Sequence, residues 1–219
     1  MPTSTVEDYI KQVYLIQQDA RGGVAPMGRI SEALGITPGT TTTMIKALAD
    51  DHLVVYEPRV GVRLTDTGEQ LALKVLRRHR IAEAFLVKVL GMDWSEVHED
   101  AERLEHAISD KVLDRMDALL NRPTHDPHGD PIPANDGAMS PVSTTCLATA
   151  TEGARITIAR INDQSPRFLS YARSVGLIPG AVLQVMERCD PAESITVRFD
   201  GSRKTLSLSA RVAGKIDVR

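Results

Sequence analysis

The chain has 219 residues, of which 42% are hydrophobic, and a formal net charge of −3. This length accommodates one ordinary core and a smaller second one, so we expect two or three compact units. The first residues lack the basic and apolar regions of a signal peptide, and no apolar run reaches the roughly 18 residues of a membrane span. A cytoplasmic protein with no membrane partner is therefore expected. The two cysteines, Cys146 and Cys189, indicate neither a disulfide framework nor a cysteine zinc site.

The first 66 residues have the pattern of a winged helix-turn-helix domain. Apolar spacing predicts a helix over residues 6–18 that ends near Arg21-Gly22-Gly23, and a short second helix over 27–34. Thr37 as N-cap and Pro38 at the first helical position predict a third helix that runs to about residue 50. Two β runs, 53–56 and 62–64, enclose a turn and predict a hairpin that serves as the wing.

The rest of the chain predicts a helical domain, a linker and a small β domain. A long helix is expected over 66–90, a second from a Ser95 cap to about 108, and a third from Ser109 or Asp110 that ends before Pro123. Such a helix set beyond a winged domain is typical of a dimer interface. Residues 124–149 are proline-rich and indicate an irregular linker. Strand-like runs at 154–161, 182–187, 195–199 and 205–208, with a helix at 168–175, predict an SH3-like barrel over 150–219.

The expected fold is thus mainly α with small β parts. Its domains are a winged helix-turn-helix over 1–66, a helical metal-binding and dimerisation domain over 67–123, the linker, and the SH3-like domain. The acidic net charge does not by itself indicate nucleic-acid binding, so the DNA prediction depends on the local helix-turn-helix geometry.

The middle helices carry a stripe of histidine and acidic residues. At 100° per residue, four potential ligands share a face about 100° wide, namely His98, Glu102, Glu105 and His106. His79 and Glu83 repeat the i, i+4 spacing on the preceding helix. Any one such pair is typical of a solvated polar face. Because these helices are expected to pack in a core or interface, where uncompensated carboxylates are costly, the stripe favours a metal site.

Five stretches of sequence are specific enough in combination to indicate a family. They are V-E-D-Y at 6–9, the helix-turn-helix, H-R-I-A-E at 79–83, H-E-D-A-E-R-L-E-H at 98–106 and P-H-G-D-P-I-P at 127–133. Together they resemble the diphtheria-toxin-repressor family of metal-dependent regulators, over essentially the whole chain. The resemblance implies a repressor of metal-uptake genes that binds operator DNA as a metal-loaded homodimer and has a C-terminal domain of the FeoA type.

The resemblance also implies two metal sites per chain. The primary site consists of Asp8, Glu102, Glu105 and His106, although Asp8 alone would be an ordinary charge near a helix N-terminus. The second site consists of His79, Glu83 and His98. In the longer manganese-responsive members the second site also draws on the linker and terminal domain, which adds Asp126, His128 and Asp163. The alternative for His128 is an ordinary surface residue of a Pro-Gly loop with no role as a ligand.

Two departures from the family patterns bear on the choice of metal. Asp8 and Glu102 stand where iron-type members have methionine and cysteine, and hard carboxylate oxygens favour Mn²⁺ in relative terms. Fe²⁺ is the alternative, and Co²⁺ or Zn²⁺ are expected to substitute in vitro. The short manganese regulators carry a glutamate ligand at the position of Lys11, so a close pair of ions there is in doubt. A second ion is therefore expected at the His79, Glu83 and His98 set.

The third helix and the wing are the predicted DNA-binding elements. The helix offers hydroxyls, methyls and backbone amides to phosphates and thymines, from Thr37, Gly39, Thr40, Thr42 and Thr43. Lys46, Arg59 and Arg63 are predicted phosphate contacts. The alternative interpretation of the threonines is a merely polar helix face.

The preferred function is a manganese-dependent transcriptional repressor that has no catalytic activity and no small-molecule substrate. Two other classes stay open at this stage. A metallohydrolase could use the same ligand types, but no H-E-x-x-H motif, nucleophile elbow or phosphate loop supports it. A constitutive winged-helix DNA binder would keep the fold and lose the metal. Metal titration and a DNA shift with and without chelator distinguish the three.

Overall fold

The computed structural model describes residues 2–20, 23–142 and 145–219. They form two compact units. The first comprises the described residues up to His79, together with 105–107 and 133–138, and the second comprises 80–104, 108–132 and those from 139 onward. Within the described ranges, no helix combines the length and the apolar character that crossing a membrane requires.

The first unit opens with three helices. α1 spans Ser4–Asp19, α2 spans Met27–Ala33 and α3 spans Pro38–Asp50. The Thr37 hydroxyl accepts a hydrogen bond from Thr40 N at 3.2 Å, so the predicted N-cap of α3 is confirmed. The predicted stop of the first helix at Arg21 and Gly22 lies outside the described residues. The three helices bury one side each in a common core that includes Ile10, Val13, Ile30, Ile45 and Leu48.

The wing follows α3 as predicted. β1 (Val54–Glu57) and β2 (Gly61–Leu64) pair antiparallel, with Tyr56 opposite Val62. Gly61 has a φ of +143°, and a Cβ there would lie 2.6 Å from the Ala25 carbonyl oxygen, so only glycine lets the two backbones approach. Thr65 then caps α4 (Asp66–Lys88) by accepting from Gly68 N at 3.1 Å.

In the second unit, the helix after α4 is shorter than the sequence indicates. α5 spans His98–Glu105, its last residue belonging to the first unit, and the predicted start at Ser95 is wrong. Both the backbone N–H and the hydroxyl of Ser95 donate to Asp93 Oδ1, which holds Ser95 in a turn before the helix. α6 spans Asp110–Leu119, and Ser109, one of the two predicted starting residues, caps it.

The C-terminal part of the second unit is a five-stranded antiparallel sheet in the order β6-β5-β4-β3-β7. Its strands are β3 (Arg155–Ile161), β4 (Val182–Cys189), β5 (Ser194–Phe199), β6 (Thr205–Ser209) and β7 (Ile216–Val218). α7 (Pro166–Ser174) and the short α8 (Ala210–Ala213) complete it. The core contains Ile158, Leu169, Leu183 and Val197 together with Trp94. The predicted class, mainly α with a small C-terminal β domain, is confirmed.

Candidate metal centres and DNA-binding surface

Three predicted primary ligands meet in the first unit. Asp8 lies on α1, while Glu105 is the last residue of α5 and His106 follows it, almost a hundred residues later. His106 Nε2 is 2.9 Å from Asp8 Oδ1 and 3.5 Å from Glu105 Oε1. One ligand atom from each of the three lies within 4.8 Å of the others. We call this cluster the α1 site. Its carboxylate oxygens and imidazole nitrogen are donors that suit a divalent cation.

Glu7 is a functional candidate that the sequence reasoning missed. Its Oε2 lies 2.7 Å from His106 Nδ1, so the ring of His106 is contacted through both nitrogens by neighbouring residues of α1. Burial lowers the pKa of His106, but the hydrogen bond to Glu7 and the charges of Glu105 and Asp8 outweigh it and raise the pKa. From sequence, Glu7 is an ordinary acidic residue in the first turn of a helix. Its burial, with 7% exposed, is what distinguishes it.

Glu105 is fully buried and both of its oxygens are engaged. Lys11 Nζ lies 2.6 Å from Oε1, and His79 Nδ1 lies 2.6 Å from Oε2. The ammonium group of Lys11, itself 2% exposed, thus places a positive charge beside the α1 site. His79, predicted for the second site, also contacts this residue of the first, and its role as a second-site ligand stays a prediction.

Glu102, the remaining predicted primary ligand, lies three residues before Glu105 on α5. Its side chain is 34% exposed, and its Oε1 is 3.6 Å from His98 Nε2. The resemblance, together with the shared helix, is what supports its role as a ligand.

A second cluster lies wholly within the second unit. Glu83 on α4 meets Asp126 and His128 from the proline-rich segment, with one ligand atom from each within 4.8 Å of the others and all three residues buried. We call it the loop site. His98 Nδ1 lies 3.3 Å from Glu83 Oε1 at its edge. The segment predicted as an irregular linker therefore contains buried residues.

The environment of His128 fits a metal ligand. Its Nε2 lies 2.8 Å from the carbonyl oxygen of Trp94, which can only accept, so Nε2 carries the proton. The buried Nδ1 has no hydrogen-bond partner, and Glu83 Oε2 is 3.6 Å away, beyond a normal hydrogen bond. A histidine ligand whose other nitrogen donates to a carbonyl is the usual arrangement around a metal. Nδ1 thus faces the cluster, where it can bind an ion in place of a proton.

Electrostatics at the loop site also favour a cation. Burial, with the neighbouring charges of Asp130 and Glu83, raises the pKa of Asp126 to about 8. Burial lowers the pKa of His128, yet the carboxylates of Glu83 and Asp126 raise it to about 9. Two buried carboxylates and an imidazole therefore attract positive charge, which protons or a metal ion can provide.

Asp163 is not brought to either cluster. Its Oδ1 accepts from Ser165 N at 3.0 Å, and its Oδ2 pairs with the ammonium of Lys215. Among the residues that the structure describes, Asp163 belongs to no group of three ligand atoms close enough to hold one ion. The C-terminal domain contacts the loop site through other residues.

The predicted DNA contacts of the third helix lie on its outer side, and Thr41, which is not one of them, is the buried member of the threonine run. Thr41 is fully buried and its hydroxyl accepts from Ser31. The hydroxyls of Thr42 and Thr43 donate to the carbonyls four residues earlier, at 2.8 and 3.1 Å. Their methyl groups, rather than their hydroxyl protons, are therefore free for contact with thymine methyls. Thr37, Gly39, Thr40, Thr43 and Lys46 are exposed, and Thr42 is half-buried.

The wing presents two exposed arginines. Arg59 sits in the hairpin turn with a φ of +69°. Arg63 on β2 donates from one guanidinium nitrogen to the Gly23 carbonyl at 3.2 Å, which anchors its side chain near the base of the wing. Both positions are compatible with contacts to a phosphate backbone.

The fold and these clusters define a winged-helix protein with carboxylate and histidine sites suited to divalent cations. Three family models match the chain. They describe an iron-dependent repressor N-terminal DNA-binding domain over residues 1–62, an iron-dependent repressor metal-binding and dimerisation domain over 65–134, and a FeoA domain over 145–219.

Solved structures and curated relatives agree with these matches. A manganese-dependent transcriptional repressor in complex with manganese is 38% identical, with a TM-score of 0.86, over 97% of this chain and 98% of that one. The manganese regulator SloR is 30% identical, with a TM-score of 0.75, over 100% and 99%. The iron-dependent repressor IdeR of Mycobacterium tuberculosis is 38% identical over 130 residues, which is 59% of this chain and only 55% of that relative.

The chain therefore belongs to the iron-dependent repressor family, also known as the diphtheria-toxin-repressor family, of metal-dependent transcriptional regulators. This confirms the resemblance indicated by its sequence motifs. The family is one of regulators rather than enzymes.

Proposed function

We propose that this protein is a manganese-responsive transcriptional repressor that binds operator DNA as a homodimer and controls genes for metal uptake. The observation that carries the proposal is the α1 site, because one of its ligands, Asp8, belongs to the first helix of the DNA-binding domain and meets Glu105 and His106 there. Manganese-dependent repressors among the similar structures support it. Fe²⁺ is the alternative metal for this chain, because the relative IdeR is named an iron-dependent repressor.

The donor set supports Mn²⁺. In the described residues, both clusters offer only oxygen and imidazole nitrogen, and neither Cys146 nor Cys189 belongs to one. Carboxylate oxygen suits Mn²⁺, whereas sulfur ligands favour softer metals. The proposed primary ligands are Asp8, Glu105 and His106, with Glu102 added by the resemblance.

A second ion is proposed at the loop site, held by Glu83, Asp126 and His128, with His98 beside Glu83. Lys11 argues against a second ion next to the first, because its buried ammonium already lies against Glu105. A fixed positive charge there repels a further cation. The proposed capacity is thus two ions per chain, one in each cluster.

The contacts within the chain suggest how metal binding would change the affinity of the protein for DNA. The carboxylate of Asp8 and the imidazole of His106 connect α1, which packs in the core of the helix-turn-helix, to the end of α5. When bound, a divalent ion supplies positive charge that lets the acidic ligands remain close together. In a dimer, a fixed α1 would favour recognition helices one DNA turn apart, roughly 34 Å. Two ions would also shift the formal charge from −3 to about +1.

The proposed dimer contact is an apolar groove of about 450 Å³ on the second unit. Its lining includes Phe85 and Met116, and both Val112 and Leu119 are largely exposed, 49% and 62% respectively. The match of residues 65–134 to a dimerisation domain supports a second copy of the chain as the occupant. Apolar surface of this kind is typically covered in an interface.

The experiment that tests the function is a DNA shift at fixed ionic strength with a promoter of a metal-uptake gene. We expect tight binding with Mn²⁺ and loss of binding with excess chelator. Equal affinity in both conditions would instead identify a constitutive DNA binder. Metal-dependent turnover of ester or phosphoester substrates without DNA binding would favour the metallohydrolase alternative.

A further inference from the structure

The loop that supplies Asp126 and His128 is closed on itself. Asp126 Oδ1 accepts hydrogen bonds from His128 N at 2.8 Å and from Asp130 N at 2.9 Å, and the backbone of Asp126 donates to the Asp130 carbonyl. One carboxylate oxygen of Asp126 is thus used within the loop. We call residues 126–130 the ligand loop. Its internal bonds fix its shape but not its place on the domain.

The backbone of β3 seats the ligand loop. Ile161 N donates to the carbonyl of His128 at 2.9 Å. A Cβ at Gly129, whose φ is +94°, would lie 2.1 Å from the Ala159 carbonyl oxygen, so glycine permits this close approach. The loop therefore lies directly on a strand of the C-terminal sheet.

Arg160 joins the loop to the sheet by side-chain contacts. Its NH1 donates to Asp130 Oδ1 at 3.1 Å, while Nε and NH2 both donate to Asp217 Oδ2 at 3.0 and 2.9 Å. The register of β3 against β7 shifts between Ile158 and Arg160, and such a bulge re-aims the side chain that follows it. Asp130 and Asp217 are both buried, so this guanidinium is fixed between two carboxylates in a low-dielectric environment.

Asp130 also contacts one residue that follows β3 and one residue of α4. Gln164 Nε2 donates to its Oδ2 at 2.6 Å, and the guanidinium of Arg80 on α4 lies 3.5 Å from its Oδ1. Arg80 also donates to the carbonyl of Pro131. The end of the ligand loop is therefore held between α4, which carries Glu83, and β3.

We propose that Arg160 and Asp130 are positioning residues for the loop site, through which the C-terminal domain sets the affinity of the second ion without contributing a ligand. This inference rests on the proposed second site. Asp163, the predicted ligand from this domain, pairs with Lys215 instead. Because the same contacts hold the loop and the sheet together, ion binding and the docking of the ligand loop on β3 are thermodynamically coupled.

The fluorescence of Trp94 can report ion binding at the loop site. It is the only tryptophan in the chain, and its ring stacks on that of His128 with 5.5 Å between centroids. Emission of Trp94 titrated with Mn²⁺ should follow the loop site, and equilibrium dialysis should count two ions per chain. Titrating a His106→Ala background, which lacks the α1 site, assigns the emission change to the second ion.

In that background, Arg160→Met and Asp130→Asn should each weaken the Mn²⁺ response of Trp94 about ten-fold or more, as when partners behind a metal ligand are removed. Arg160→Lys should restore part of the loss. Arg155→Met is the matched control, because Arg155 lies on the same strand and pairs with Asp200 at 2.7 Å on the exposed surface. It should leave the response unchanged.

Two results would contradict the inference in different ways. In the first, the wild-type loop site responds to Mn²⁺, but Arg160→Met and Asp130→Asn bind Mn²⁺ as Arg155→Met does. If circular dichroism shows that all of these variants are folded, this result overturns the positioning role alone. A Trp94 emission that ignores Mn²⁺, with only one ion bound per wild-type chain, overturns the proposed second site and the positioning role with it.

Discussion

At the α1 site, one imidazole is held by two consecutive residues of the same helix. Asp8 contacts Nε2 of His106 and Glu7 contacts Nδ1, at 2.9 and 2.7 Å. If Nε2 is the ligand atom, Glu7 is the carboxylate that orients the ring and increases its basicity. Arg78, whose NH1 lies 3.5 Å from Glu7 Oε1, in turn partly balances the charge of Glu7.

We predict that Glu7→Ala raises the Mn²⁺ concentration for half-maximal DNA binding about ten-fold or more, because His106 loses its orienting partner. Glu7→Gln keeps an oxygen that accepts from Nδ1 and should lie between Glu7→Ala and wild type. Asp19→Asn is the control, since Asp19 is an exposed acidic residue at the other end of α1. If Glu7→Ala and Asp19→Asn respond alike, Glu7 has no part in metal binding.

The ligands could be predicted from sequence to different extents. Helical spacing alone groups Glu102, Glu105 and His106 on one face, but only the family resemblance adds Asp8 from a distant helix. The roles proposed for Glu7, Trp94 and Arg160 have no sequence signal. Each depends on a contact with a residue far along the chain, and such contacts exist only in the folded structure.

Among the elements, α3 separates the threonines by face. Thr41 points into the core, while Thr40 and Thr43 are exposed together with Lys46. The helical period therefore assigns one threonine to packing and leaves Thr40 and Thr43 at the surface. The sequence interpretation of the run as a DNA-binding surface stays a prediction.

Lys46→Ala should weaken DNA binding similarly for all sequences and reduce the slope of log affinity against log salt by about one, because one phosphate contact is lost. Lys204→Ala is the control, since Lys204 is an exposed lysine of the C-terminal domain. Fluorescence anisotropy at several salt concentrations with saturating Mn²⁺ measures both. An unchanged slope for Lys46→Ala would exclude Lys46 from the interface.

Elements with strong caps or clear periodicity are the ones that sequence predicts well. The Thr37 cap and the helix start at Ser109 or Asp110 are confirmed, whereas Ser95 bonds to Asp93 and caps no helix. β7 has three residues and α8 has four, too few to show a period. Sequence predicts the ligand loop as a linker because its place on the domain is fixed by Arg80, Arg160 and the backbone of β3, contacts that leave no local sequence pattern.

For the whole molecule, the groove lined by Phe85, Val112, Met116 and Leu119 is the proposed contact between two copies. Val112→Glu together with Leu119→Glu should convert the dimer to a monomer, because two charges would be buried in an apolar contact. Ile178→Glu replaces a comparably exposed apolar residue, 44% exposed, of the C-terminal domain and should stay dimeric. Sedimentation velocity measures the state, and a dimeric double variant would place the interface elsewhere.

The central claim is that hard ligands make this repressor respond to manganese. Its test is the concentration of Mn²⁺ and of Fe²⁺ that gives half-maximal operator binding, measured anaerobically for the wild type and for Asp8→Met with Glu102→Cys. We predict that the wild type reaches half-maximal operator binding at a lower concentration of Mn²⁺ than of Fe²⁺. In the double variant the preference should shift toward Fe²⁺ or Co²⁺, because sulfur ligands improve the binding of those metals far more than of Mn²⁺. A wild type that responds better to Fe²⁺, or a double variant with an unchanged metal order, would contradict the manganese assignment.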